Sequence, residues 1–228
     1  MVARGRSGSL TSRGYGAPVS ALMPATERAL LHRAAVTQRD GRAPSLVAGV
    51  VRDGNLVWSA ARGTVDGGVD AAYRIGSITK TYTAVLVLQL RDEGALALTD
   101  RLEQYLPGVA GPATLLQLLT HSAGLTSELP GPWWERIEGP DAAGLLGAMA
   151  DEPPRLAAGA RLHYSNVGFA LLGEVVARLR SAPWAEVLQE RLLDPLELRR
   201  TGPVPIGPRA TGWAVYQPGE AIPGGLDD

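Results

Sequence analysis

At 228 residues the chain has room for one large domain or two small ones, and with 45% of its residues hydrophobic it can bury a real core, which excludes disorder throughout. Twenty-two basic residues against 23 acidic ones leave a formal net charge of −1, so no overall field draws the protein to nucleic acid or to an anionic membrane. There is no cysteine, which rules out disulfides, thiolate zinc sites and a cysteine nucleophile.

Residues 1–23 hold Arg4, Arg6 and Arg13, no acid, and many Gly and Ser, without the apolar run of a secretory signal. They are expected to form a flexible N-terminal tail, with Met23 as an alternative start, and the expected location is cytoplasmic. Pro24, followed by Leu30, Leu31, Ala34 and Ala35 at helical spacing, predicts a helix of about four turns ending near Gly41. Ser45–Arg52 and residues 56–60 flank Asp53-Gly54-Asn55 and read as a β-hairpin.

After Tyr73-Arg74-Ile75-Gly76 the pattern switches to a helix over 77–91, with Gly94 placed to end it. Its middle is apolar on nearly every face, so burial all round is expected. The longest apolar stretch, 84–90, is far short of the ~20 residues needed to cross a bilayer, so no membrane span is expected. Further helices are predicted over 115–119, 142–149, 167–179 and 184–193, separated by connections around Gly131-Pro132 and Gly139-Pro140. Residues 201–228 show no clear element. The elements give a mixed α/β (α+β) class: a partial antiparallel sheet flanked by helices, plus an inserted all-helical domain. The expected divisions are the tail 1–23, an α/β part 24–80, a helical domain 81–200 and a C-terminal segment 201–228.

Ser77-Ile78-Thr79-Lys80 puts a hydroxyl at a helix start and an amine three residues on, both on one face. A serine hydroxyl is a poor nucleophile until a base takes its proton, and lysine is such a base when burial or a nearby cation makes it neutral. The alternative is a capping serine beside a surface lysine. Composition weighs against it: Lys80 is the only lysine, and every other one of the 22 basic residues is arginine, whose guanidinium cannot give up its proton. In Leu162-His163-Tyr164-Ser165-Asn166, an extended backbone would bring the Tyr164 phenol and the Asn166 amide out on the same side. A half-buried Tyr164 with Asn166 capping the next helix is the competing interpretation. His32, His121 and His163 lack metal-ligand spacing. Trp133-Trp134 either line a cleft or plug the helical part, and Asp151-Glu152 fit a solvated helix end.

Together, Ser77-x-x-Lys80 and Tyr164-Ser165-Asn166 resemble the first and second active-site motifs of the serine β-lactamase and penicillin-binding-protein superfamily, in the form seen in class C β-lactamases, D-Ala-D-Ala carboxypeptidases and related esterases. Leu118 to Leu125, containing His121-Ser122-Ala123-Gly124, is similar to that superfamily's H-T-S-G-L stretch, taken as scaffold. The resemblance implies a β-lactamase/transpeptidase-like fold and a serine hydrolase acting on a small-molecule or peptide substrate: a β-lactam, a D-Ala peptide or an ester. It implies that Ser77 is acylated, that Lys80 and Tyr164 share its proton, that Asn166 orients substrate and Lys80, and that the Ser77 N–H is one oxyanion donor, with no metal or organic cofactor. The superfamily's third motif, Lys/His-Thr/Ser-Gly, has no counterpart here: Arg200-Thr201-Gly202 and Ala210-Thr211-Gly212 lack the leading Lys or His. The expectation is therefore a form truncated before its C-terminal strands, with self-association through the incomplete sheet. The alternative is a catalytically impaired binding module.

Overall fold

A computed structural model describes residues 22–109, 111–129, 139–150, 152–204, 206–212, 214–216 and 220–222. The chain forms two compact units, one within Met1–Ala71 and Pro208–Thr211, the other within Ala72–Gly207 and Gly212–Asp228.

In the first unit, Pro24 occupies the opening turn of helix α1 (Pro24–Asp40), where a missing N–H breaks no helical hydrogen bond. Gly41 closes the helix by donating to the Thr37 carbonyl, and the Arg42 N–H after it donates to that of Arg39. Strands β1 (Ser45–Arg52) and β2 (Asn55–Gly63) pair antiparallel, as the hairpin pattern predicts, with a register shift between Val50 and Val51. The turn places Asp53 and Gly54 at φ of 50° and 74°, the hand that suits a tight hairpin. Helix α1 packs on β2, and Ala34, Val57, Trp58 and Ala60 are its buried apolar residues.

The second unit is built around helix α5 (Asn166–Arg180). Its Leu171, Leu172, Val175 and Val176 are fully buried, each worth roughly 1.5–3 kcal/mol on removal from water. Helices α2 (Thr79–Asp92), α3 (Leu115–Leu119) and α6 (Trp184–Leu188) pack on it, and α4 (Ala142–Ala150) adds Leu145 and Met149 to the same core. Helix α6 runs on into a π-helical turn, Gln189–Leu193, which buries Leu192 and Leu193. Thr114 and Gln117 form a capping box on α3, and the Ser165 hydroxyl caps α5 by accepting from the Gly168 N–H. At the opposite ends of α2 and α5, the Arg180 guanidinium makes two bonds, 2.7 and 2.9 Å, to the Glu93 carboxylate and holds that carboxyl below the usual range.

Two details depart from the pattern read in the sequence. Helix α2 is not buried all round: Thr83, Leu86, Val87 and Leu90 form one buried stripe, while Val85 and Leu88 are half-buried. That stripe joins the core around α5, and Tyr82, Ala84 and Val85 pack against its margin. Residues 201–228, read as lacking an element, contain an antiparallel pair, β3 (Ala214–Tyr216) with β4 (Glu220–Ile222). Three-residue strands are too short for alternation to be visible; Pro218-Gly219 was the available turn signal. Among the described residues the sheets are these two separate pairs, and no helix is long and apolar enough to cross a membrane.

Candidate active site

Ser77 lies in the 3-10 turn Gly76–Ile78 that leads into α2, and Lys80 stands in the first turn of α2 itself. The α-helix thus begins two residues later than its sequence pattern implies, and its N-cap is Ile78, which makes no side-chain cap bond. Ser77 does not serve as the cap. Its hydroxyl instead accepts a hydrogen bond from Lys80 Nζ at 3.2 Å and another from the Tyr164 hydroxyl at 2.5 Å.

Tyr164 reaches Ser77 because the segment preceding α5 is extended and fastened on both sides. Ser165 has φ −137° and ψ 118°, so Tyr164 and Asn166 project one way and Ser165 the other. Ser165 is buried, and its hydroxyl donates to the Thr126 carbonyl at 2.6 Å while capping α5. Ser127 grips the backbone on either side, donating from its hydroxyl to the Tyr164 carbonyl at 2.8 Å and accepting the Asn166 N–H at 2.9 Å. Because Ser165 does the capping, the Asn166 side chain is available to the site. Its Oδ1 accepts from Lys80 Nζ, and its Nδ2 donates to the Glu128 carboxylate.

Glu128 is the residue that sequence reasoning missed. It stands 38 residues from Asn166, and no spacing or motif marked it. The histidine of the Leu118 to Leu125 stretch also comes to the site. The ring of His121 lies 4.4 Å from that of Tyr164 and 4.9 Å from that of Phe169, centroid to centroid. The Lys80 ammonium sits 4.8 Å from the centroid of the Tyr164 ring.

These neighbours act on Tyr164 in opposing senses. Burial raises the phenol's pKa, but the hydrogen bonds with Lys80 and Ser77 and the Lys80 charge outweigh it and Glu128, and the net position is below the usual value of 10. Tyr105 lies at the other extreme, pushed up to about 12 by burial and its hydrogen bond to Asp100. Tyr164 should therefore lose its proton at lower pH than an ordinary tyrosine. An ultraviolet tyrosinate titration is expected to show an early phase that vanishes in Tyr164→Phe and moves to higher pH in Lys80→Met, since that change deletes the main lowering influence. An early phase that ignores Lys80→Met would show that Lys80 is not its cause.

Residues 26–225 match the family model described as Beta-lactamase. The chain belongs to the β-lactamase family. It is 31% identical to penicillin-binding protein 4 of Amycolatopsis lactamdurans over 73% of its own length and 43% of that protein's. It is 30% identical to the D-alanyl-D-alanine-carboxypeptidase/endopeptidase AmpH of Escherichia coli over 58% of its length and 37% of the relative's. Among solved structures, the D-stereospecific amidohydrolase of a Streptomyces superposes with a TM-score of 0.70 at 29% identity, over 85% of this chain and 63% of that one. The fold is that of the β-lactamase and transpeptidase group, and the chain spans about two-fifths of the length of these two curated relatives.

Within this β-lactamase-family chain, some of the remaining singled-out residues lie outside the described residues. Trp133, Trp134 and Asp151 are outside them. Glu152 pairs with Arg155 at 2.7 Å, and Thr201 donates its N–H to the Leu198 carbonyl in a turn. His163 Nε2 lies 3.3 Å from the Ser127 hydroxyl, and among the described residues no three of His, Asp and Glu converge as a metal site.

Proposed function

We propose that this chain carries the acylating machinery of a serine hydrolase, with Ser77 as nucleophile, Lys80 and Tyr164 as its proton acceptors, and Asn166 as the group that orients both Lys80 and the substrate. The observation behind this is the Ser77 hydroxyl, held between the Tyr164 phenol at 2.5 Å and the only lysine of the chain at 3.2 Å. In the first half-reaction, Ser77 Oγ bonds to the carbonyl carbon of an ester or amide while its proton passes to the Lys80 and Tyr164 pair, which accepts it in the form of the site where one member of the pair has given up its own proton. The carbon–oxygen or carbon–nitrogen bond then breaks, and the departing atom takes that proton. Water attacks the acyl-Ser77 ester in the second half-reaction, gives its proton to the same pair, and regenerates Ser77. The Ser77 N–H is one donor to the developing oxyanion. Glu128 and Lys80 hold the Asn166 amide between opposite charges.

Candidate substrates are β-lactams, D-Ala peptides and esters. The name of one relative, a D-alanyl-D-alanine-carboxypeptidase/endopeptidase, supports trying peptides ending in D-alanine first. A second reading, a binding module with impaired catalysis, rests on one observation: the sequence has no Lys/His-Thr/Ser-Gly triplet. Incubation with a fluorophosphonate and with a β-lactam, followed by peptide mapping, separates them. The expected adduct is on Ser77. An adduct on another residue refutes the assignment, and folded protein that binds a β-lactam without any covalent adduct favours the binding module.

A further inference from the structure

His121 sits in the stretch read from sequence as scaffold, yet three of its groups bear on the segment that carries Tyr164 and Asn166. Its carbonyl accepts the His163 N–H at 2.7 Å. Its Nδ1 accepts the N–H of Ser165, the residue between Tyr164 and Asn166, at 3.1 Å. Its ring lies against Tyr164, tilted 32°, and is backed by Phe169 at 41°. An Nδ1 that accepts a backbone N–H carries no proton, so the ring proton is on Nε2. Burial and the charge of Lys80 lower the imidazole's pKa below 6.5, which keeps that acceptor available at neutral pH.

We infer that His121 is a positioning residue for the reaction proposed above, its Nδ1 fixing the backbone between Tyr164 and Asn166 and, through that backbone, the phenol over Ser77. This inference rests on that proposed reaction. It predicts a division of labour: the Nδ1 acceptor sets where the phenol lies, whereas the carbonyl, present in any residue, only joins 121 to 163. The backbone at His121 has φ 53°, a conformation that asparagine tolerates well, and an asparagine amide oxygen can stand in for Nδ1. His121→Asn therefore keeps the acceptor, and His121→Ala removes it.

Two measurements on the full chain test this. In the tyrosinate titration, the early phase of Tyr164 should move to higher pH in His121→Ala, because the phenol leaves its place beside Lys80, and should return in His121→Asn. The rate of fluorophosphonate labelling at Ser77, counted per labelled molecule, should fall about 10- to 100-fold in His121→Ala, as expected for a misplaced reacting group, and recover to within about threefold in His121→Asn. Counting per labelled molecule removes any loss of folded protein. An early phase unmoved by His121→Ala, or a labelling rate that drops equally in both variants, overturns the inference. If the parent protein does not label at Ser77, the proposed reaction falls, and the titration still decides the role of His121.

Discussion

Replacing Lys80 with arginine is expected to slow acylation of Ser77 by about 10²–10⁴-fold while leaving the fold in place. The substitution keeps the charge and most of the length, so a residue whose task was a solvated positive charge would tolerate it, with stability changing within about ±0.5 kcal/mol. The geometry gives Lys80 a different task. Its amine touches both Ser77 Oγ and Asn166 Oδ1, and an amine there can release and accept a proton. A guanidinium cannot, so proton removal from Ser77 is left to Tyr164 alone. The loss corresponds to about 3–5 kcal/mol of transition-state stabilisation. Fluorophosphonate labelling kinetics give the rate, and the far-UV spectrum checks the fold. A folded Arg variant that acylates at the parental rate would show that Lys80 is not the base.

Gly124→Ala should be a damaging small change to stability, costing about 2–4 kcal/mol. Gly124 is buried at φ 75°, and a Cβ added there would lie 2.1 Å from the Leu156 carbonyl oxygen, far inside contact distance. The obstacle is backbone, and it cannot rotate aside as a side chain would. The Gly124 carbonyl also accepts from the N–H groups of Arg155 at 2.7 Å and Leu156 at 3.1 Å, so the clash separates strands of chain that these bonds join. The same zipper continues through Ser122 with Gly159 and His121 with His163, up to Tyr164. A chain of this size loses about 2–4 °C in melting temperature per kcal/mol, so a fall of about 4–16 °C is expected. Gly94→Ala is the control: φ is 74° there, but nothing lies within 4 Å of the added carbon, which isolates the conformational cost from the clash. Equal losses in the two variants would show that the contact with Leu156 is unimportant.

What the sequence made readable was mostly local. Pro24 and Gly41 bracket α1, Asp53-Gly54 marks the hairpin, and Ser77 with Lys80 stand close because three residues is nearly one helical turn. The pairing of Tyr164 with Ser77, 87 residues away, was accessible only through the resemblance of two motifs, since no periodicity carries that distance. Glu128 belongs to neither motif and arrives through a loop, so nothing in its neighbourhood announced it. His121 was noticed but assigned to the scaffold, because a sequence shows that a histidine is present and not which way its ring faces. The burial of α2 was overestimated for a related reason: an apolar composition says a helix can be covered on every side, and the packing partners decide how many sides are.

An amide has two nearly isosteric orientations, and at Asn166 only one is tolerable. Turned over, it would aim N–H groups at the Lys80 ammonium and a carbonyl oxygen at the Glu128 carboxylate, two repulsions in exchange for two attractions. The side chain is therefore held in a single pose by its two neighbours. In the proposed reaction Asn166 would therefore need no reorganisation when a substrate arrives.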